Sequence, residues 1–369
     1  MKNRLEKQSQ PEQSRKFLFL YFELAGYTEA CIEQLATLYN AEIHVVKYPV
    51  NPVAPFRFSF SEGIKTYERN DYSNQELIAL CHKINPDVVY VCGWSDKGYT
   101  AVAKSFKKKI PVILTLDNPW LGTIKQKVAS IAGPFILKNI FTHCWVPGEP
   151  NAKYARKLGF KNEILKQGLY SADTKLFHGY YNSFREEKEK KFPHRFIFAG
   201  RYTLLKGVTE LWNAFNSLNE EERGDWELWC IGKGELDSQF PDNPNIRNCG
   251  FIQPSDLAPV LRETGVFILP AHYEHWGVVV HEFAAAGFPL ICSTTTSAAT
   301  TFLKDGENGF FTVPKDQQSI REILIRTIKL SDKQLIAMSR KSVELADTIT
   351  PTTWANTLWR IKGSIICVE

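Results

Sequence analysis

The feature that most constrains this chain is a rhythm. Short apolar runs of strand length alternate with amphipathic segments long enough for a helix, along nearly all of its 369 residues. In the first half the apolar runs fall at 17–22, 42–46, 88–92, 112–116, 143–146 and 163–165, with helical segments between them such as 28–39 and 75–84. Parallel strands need a long crossover to reach one another, and an amphipathic helix that buries its apolar stripe on the sheet is the usual one. The rhythm therefore predicts stacked βαβ units and a parallel sheet.

The rhythm breaks at 179–194 (GYYNSFREEKEKKFPH), which is charged and poor in apolar residues. It restarts with strands at 195–199, 227–231, 246–249, 266–269 and 290–292, and with helices at 208–217, 254–262 and 277–286. The expected architecture is α/β: two Rossmann-like, doubly wound domains facing a cleft. The first domain is placed at 16–180, the linker at 181–194 and the second domain at 195–345. A flexible polar segment at 1–15 precedes them, and a final helix within 346–369 packs back toward the first domain. In such sheets ligands bind beyond the carboxyl ends of the strands.

A hydrophobic fraction of 44% and a charged fraction of 23% are those of a soluble globular protein. Residues 1–15 contain no apolar leader-like run, and no apolar stretch approaches the ~20 residues that span a bilayer. No two of the eight cysteines have C-x-x-C spacing, and Cys92, Cys144, Cys230 and Cys292 lie in strand-like runs. Reduced, buried thiols and a cytoplasmic location are expected. Net charge is +8 over residues 1–180 and −3 over the remainder. A basic first half suits an anionic partner such as phospholipid, a lipid diphosphate or nucleic acid. No recognisable RNA- or DNA-binding motif is present, which sets nucleic acid aside.

Two segments of the second half carry chemistry. In VFILPAHYEHWGVVVHEFAAAGFPLICS (266–293) a strand runs to Pro270, a polar loop carries Glu274, and a helix opens near Gly277. Glycine lets backbone approach a ligand, and the free N–H groups of Val278 and Val279 at the helix start suit phosphate or sugar oxygens. Glu282 lies one turn into that helix, on the face of Val278, with Val279, Phe283 and Ala286 expected toward the sheet. In FIFAGRYTLLKGV (196–208) a strand ends at Gly200, and Arg201 and Lys206 bracket a short connection into a helix. Two cations beside a diphosphate stabilise the charge that grows on it as a leaving group, the role a divalent ion plays elsewhere. No metal site is expected. His272, His275 and His281 lack zinc-ligand spacing and are expected to make substrate or surface contacts.

The stretches AGRYTLLKG (199–207), LWCIGKGEL (228–236), IRNCGFI (246–252), YEHWGVVVHEFAAAGFPLI (273–291) and LKDGENGFF (303–311) resemble the retaining glycosyltransferases of family 4, which have the GT-B fold. The resemblance implies a nucleotide diphosphate sugar as donor substrate and no cofactor. It implies Arg201 and Lys206 on the donor diphosphate, Glu274 by the sugar hydroxyls, the amides of Gly277 and Val278 nearby, Glu282 on the ribose, and Phe251 and Ile252 by the base. Gly26 and Tyr27 match, more loosely, a turn near the donor phosphates. Gln167–Gly168 followed by Asp173 and Phe177 resembles the family's junction before the second domain. Many members carry His-Asp after the fourth strand of the first domain, the His touching the donor sugar, whereas Asp117–Asn118 stands here; Asp117 occupies the position of that His, which points to an altered donor or acceptor. The catalytic set read from this comparison is Glu274, Arg201, Lys206 and Asp117.

The acceptor implied is a glycan or lipid-linked sugar. The segment 120–141, with Lys125, Lys127 and Lys138, and the run 107–109 are expected to touch an anionic membrane at the cytoplasmic face. A nucleotide-sugar epimerase or hydrolase of the same fold is the alternative reading of the site.

Overall fold

The computed structural model describes residues 14–51, 55–107 and 109–361. Among the described residues, thirteen strands form two wholly parallel sheets. In the first are β1 (Lys16–Tyr21), β2 (Glu42–Lys47), β3 (Ile64–Glu68), β4 (Val88–Cys92), β5 (Val112–Thr115), β6 (His143–Trp145) and β7 (Leu165–Lys166). In the second are β8 (Arg195–Ala199), β9 (Glu227–Ile231), β10 (Ile246–Gly250), β11 (Val266–Leu269), β12 (Leu290–Ser293) and β13 (Gly309–Thr312). Their spatial orders are 3-2-1-4-5-6-7 and 10-9-8-11-12-13, so both sheets reverse direction beside their first strand. That reversal leaves a crevice at the carboxyl ends of β1 and β4, and another at those of β8 and β11.

Alternation along β1 shows why both faces of the first sheet are covered. Phe17, Phe19 and Tyr21 point into one core and Leu18 and Leu20 into the other, all nearly inaccessible to water. The helix Pro351–Arg360 completes the first of these cores. Trp354 stacks 5.2 Å from Trp145 and donates its indole N–H to the Leu169 carbonyl at 2.7 Å, and Trp359 stacks 4.2 Å from Tyr39. The last described helix is therefore part of the first domain, although the second domain precedes it. The flexible start expected at 1–15 falls largely on residues 1–13, which lie outside the described residues, as do 362–369 at the other end.

The segment read as a linker is different. Residues 181–190 are the second half of a helix, Thr174–Lys190, that packs on the second domain. Phe177, Tyr180, Phe184 and Lys188 recur at helical spacing, and the lysine disguises the pattern. Its ammonium donates to the Thr264 carbonyl at 2.8 Å and lies 4.1 Å from the centre of the Phe288 ring. A snorkelling lysine serves as an apolar residue along most of its length. The edge strands β3 and β13 are absent from the sequence reading. Each has a neighbour on one side only. β3 (IKTYE) is polar and largely exposed, and β13 (GFFT) holds only two large apolar residues, so no apolar run announces either.

Candidate functional site

The loops at the carboxyl ends of both sheets face one another. Gly26 after β1 lies against Pro254 after β10: a Cβ built on the glycine would sit 3.9 Å from the proline ring. Phe56 meets Phe251 edge-on with ring centres 5.8 Å apart, and Gln253 donates to the Pro55 carbonyl at 2.7 Å. Tyr27 packs on the second domain's core and edge-on to Tyr170 at 5.6 Å. Its phenol is pushed up first by burial, with Cys92, Asp117 and Glu282 adding to the rise. A phenol with carboxyls from both domains nearby stands where the two halves meet.

In the second sheet the crevice between β8 and β11 gathers four of the expected residues. Gly207 brings the two loops together. It has φ +67°, and a Cβ there would lie 2.0 Å from the Pro270 carbonyl oxygen, so only glycine fits. His272 N–H then donates to the Leu205 carbonyl at 2.9 Å, tying the loops. Lys206 and Glu274 form an ion pair, with side chains 20% and 14% exposed. The two residues assigned to opposite ends of the reacting bond thus neutralise each other. Arg201, one loop residue beyond Gly200, is exposed and has no side-chain partner among the described residues. Gly277, at φ +90°, starts the helix Val278–Ala285, and a Cβ on it would press within 2.8 Å of Glu274 Cγ. Glycine at this point both turns the chain and leaves room for the carboxylate.

The Glu282 side chain lies near Tyr27 and Asp173 and has no hydrogen bond or ion pair among the described residues. Burial pushes its carboxyl up to about 7, with Asp173 adding a smaller rise. An acid poised near neutrality and without a protein partner is suited to receive ligand hydroxyls. Val280 and Phe283, with Val278, are buried on this short helix, where Val279 is only partly so. Phe283 stacks 4.2 Å from Phe267 of β11, on the sheet side as expected, and Val279 packs on the same core.

Asp117 joins the two domains. Its carboxylate lies 3.8 Å from Nδ1 of His275, across the cleft, and accepts from the Tyr170 hydroxyl at 3.3 Å. Asn118 Nδ2 lies 3.0 Å from the same imidazole nitrogen. The buried side chain of Asn151 donates to the backbone carbonyls of Asp117 and, at 3.4 Å, of His275. Asp117 draws the His275 pKa upward, against the opposing effect of burial. An imidazole from the second domain, next in sequence to Glu274, thus stands beside Asp117. The sequence marks His275 only as a substrate or surface contact and Asn151 not at all, since spacing along the chain carries no signal of contact between domains.

His281 corrects an expectation. It is fully buried rather than in contact with substrate or surface. Its Nδ1 accepts from the Ala172 N–H at 3.0 Å, Nε2 lies 2.9 Å from the Ala346 carbonyl, and the ring stacks 4.0 Å from Phe302. Those partners require the neutral ring with its proton on Nε2. Ala172 and Ala346 lie where the chain leaves the first domain and where it returns, so one imidazole pins both crossings.

A cavity of about 730 Å³ opens beside those crossings, between Pro147–Pro150 of the first domain and Thr300, Thr301, Thr348 and Thr353. Gln167 and Gly168 of the expected junction line it, and none of the residues expected to contact a donor does. Among the described residues no cluster of three or more His, Cys, Asp or Glu side chains is placed to hold a metal ion.

Two parallel-sheet domains with facing carboxyl edges, and a C-terminal helix that returns to the first, define the GT-B fold. Comparison with known proteins supplies the particulars. Residues 181–342 match the family described as glycosyl transferases group 1. The chain is 26% identical over 243 residues to glycogen synthase of Mycobacterium tuberculosis, covering 63% of this chain and 57% of that protein. The match thus spans little more than half of that relative's length. It is 24% identical over 273 residues to the capsular polysaccharide biosynthesis glycosyltransferase CapM of Staphylococcus aureus, covering 69% and 70%. Among solved structures, Anabaena HepE in complex with UDP and glucose superposes with a TM-score of 0.68 at 14% identity, covering 94% of this chain and 98% of that one. Sucrose-phosphate synthase from Thermosynechococcus elongatus gives 0.71 at 17% identity, with the same coverage.

Proposed function

We propose that the protein is a retaining glycosyltransferase of family 4 that moves a sugar from a nucleotide diphosphate donor to a hydroxyl of a glycan or lipid-linked acceptor. The observation that carries the reading is the Lys206–Glu274 ion pair set against the Gly277 turn in the crevice between β8 and β11, with Arg201 on the loop after β8 and Glu282 on the helix that Gly277 opens. The match to a glycosyltransferase family over 181–342 and a fold shared with a UDP–glucose complex support it.

In this reading Glu282 accepts hydroxyls of the nucleotide's ribose, Phe251 and Ile252 flank the base, and Gly26 and Tyr27 close over the diphosphate from the first domain. Arg201 and the ammonium of Lys206 face the diphosphate, and Glu274 holds the sugar hydroxyls. The C1–O bond to phosphate breaks as the C1–O bond to the acceptor forms on the same face. The departing phosphate oxygen takes the acceptor's proton, and the two cations stabilise its charge. Asp117, braced by His275 and Tyr170, orients the sugar from the opposite side. No step needs a metal ion.

The test is a donor screen with product analysis. With the accepted nucleotide sugar, turnover is expected to persist in EDTA and the product to keep the donor's anomeric configuration by NMR. Inverted product refutes the front-face route, and activity lost in EDTA and restored by Mg²⁺ or Mn²⁺ refutes the role of the cations. An epimerised donor in place of a transferred sugar would identify the epimerase alternative.

A further inference from the structure

The helix Ile124–Ile136, six residues beyond Asn118, is built inside out. Its inner face is small: Ala129 is partly buried and Gly133 fully, so close to its neighbour that a Cβ on the glycine would fall 2.9 Å from a Leu158 methyl group. Its large aliphatic and aromatic residues face water. Ile124, Val128, Ile131 and Phe135 follow one another at intervals of four, three and four, a single stripe, and are 81%, 61%, 73% and 67% exposed. Leu121 and Ile136 extend the patch at 55% each. A soluble helix ordinarily turns such a stripe inward.

The surroundings choose the occupant. Lys125, Lys127 and Lys138 are exposed around the stripe, and the last lies 5.4 Å over the Phe135 ring. Residues 97–162 contain twelve Lys and Arg but two acids, Asp117 and Glu149. Asp117 is turned into the cleft, and Glu149 is paired with Arg156. An apolar stripe flanked by lysines with no free acid fits a surface that is apolar within and anionic at its rim. A second copy of this chain would bring the lysines of one helix against those of the other.

We propose that the helix Ile124–Ile136 is a membrane-docking element, lying in the interface of an anionic bilayer with Ile124, Val128, Ile131 and Phe135 among the acyl chains and Lys125, Lys127 and Lys138 at the headgroups. The proposal is independent of the transferase reading, since it rests on exposure and charge alone. Where both hold, it deepens the choice of acceptor: Ile124 is seven residues from Asp117, at most about 25 Å of chain, so docking brings the cleft within reach of a membrane-held acceptor.

Co-sedimentation with phosphatidylcholine vesicles, with and without phosphatidylglycerol, tests it. The full chain is expected to pellet with anionic vesicles and not with neutral ones, and to dissociate as salt rises from about 0.1 M to about 0.5 M. The double variant Ile131→Ser, Phe135→Ser should lower partitioning by roughly tenfold or more. Lys125→Glu, Lys127→Glu, Lys138→Glu should lower it similarly, by losing the electrostatic part. All five positions are exposed, so circular dichroism and melting temperature should stay close to wild type. Equal recovery in the supernatant with both vesicle types overturns the proposal. So does a concentration-dependent dimer that the Ile131→Ser, Phe135→Ser variant abolishes, which would assign the stripe to a second copy. Failure here leaves soluble donor turnover intact, whereas failure of the transferase reading leaves vesicle binding intact.

Discussion

Lys206→Ala is expected to lower turnover by about 10²–10³-fold, the usual loss when a donor aimed at developing charge is removed. The structure sharpens that expectation, because Lys206 is already held by Glu274 in a crevice where both are mostly covered. Removing the ammonium leaves a carboxylate without its counter-ion next to the incoming diphosphate, so the variant loses an attraction and gains a repulsion. Glu274→Gln relieves only the second. Steady-state kinetics of Lys206→Ala, Glu274→Gln and the double variant form a cycle in which the losses do not add, since the partners act as a unit. Arg201→Ala, which breaks no pair, should have a smaller effect that falls mainly on donor KM. Additive losses at Lys206 and Glu274 would show that the ion pair has no part in turnover.

The largest effect on stability is expected at His281. Its replacement by alanine leaves the Ala172 N–H and the Ala346 carbonyl without their partner and opens a cavity against Phe302. A buried donor left unsatisfied costs about 1–3 kcal/mol, and truncation of a packed ring adds a cavity term of similar size. His281→Ala should therefore lose roughly 3–5 kcal/mol, read by urea denaturation. The same residue gives stability a pH dependence. Burial lowers its pKa from 6.5 to about 4, so the unfolded chain binds a proton that the folded one refuses. Stability from the neutral ring is complete above the unfolded pKa of 6.5 and drains as pH falls toward 4, by about 3 kcal/mol. The buried ring of His143, also lowered to about 4 by burial, acts in the same direction. Acid sensitivity in the wild type that persists unchanged in His281→Ala would refute this assignment.

Much of this arrangement is legible in the order of residues alone. Parallel, two-sided sheets need unbroken apolar runs and long crossovers, and those leave marks at regular intervals. Local chemistry is equally legible: the Gly277 turn, the helix behind it, and the cations after β8 each declare themselves within a few residues of a strand end. What stays hidden is either compensated or distant. Lys188 buries its stem and disguises a helix as a charged linker. Asp117 and His275 are 158 positions apart and belong to different domains, so only the folded chain shows that they meet. Histidine spacing argues against zinc, but nothing in sequence distinguishes a buried hinge residue such as His281 from a surface one. The stripe on Ile124–Ile136 is visible as apolar content, whereas its outward orientation follows from Gly133 seating the helix against Leu158.

The central claim is that the crevice between β8 and β11 holds a nucleoside diphosphate with Glu282 on its ribose. It is tested most directly by calorimetric titration of wild type, Lys206→Ala and Glu282→Ala with UDP, GDP and ADP, near pH 7 in two buffers of different ionisation enthalpy. Ribose hydroxyls donating to a carboxyl held near 7 by burial favour its charged form. One nucleotide is therefore predicted to bind wild type with release of a fraction of a proton. Glu282→Ala should bind it roughly tenfold or more weakly and release no such proton, and Lys206→Ala should bind weakly with the release intact. Absence of binding by all three nucleotides, or equal affinity in wild type and both variants, would contradict the account.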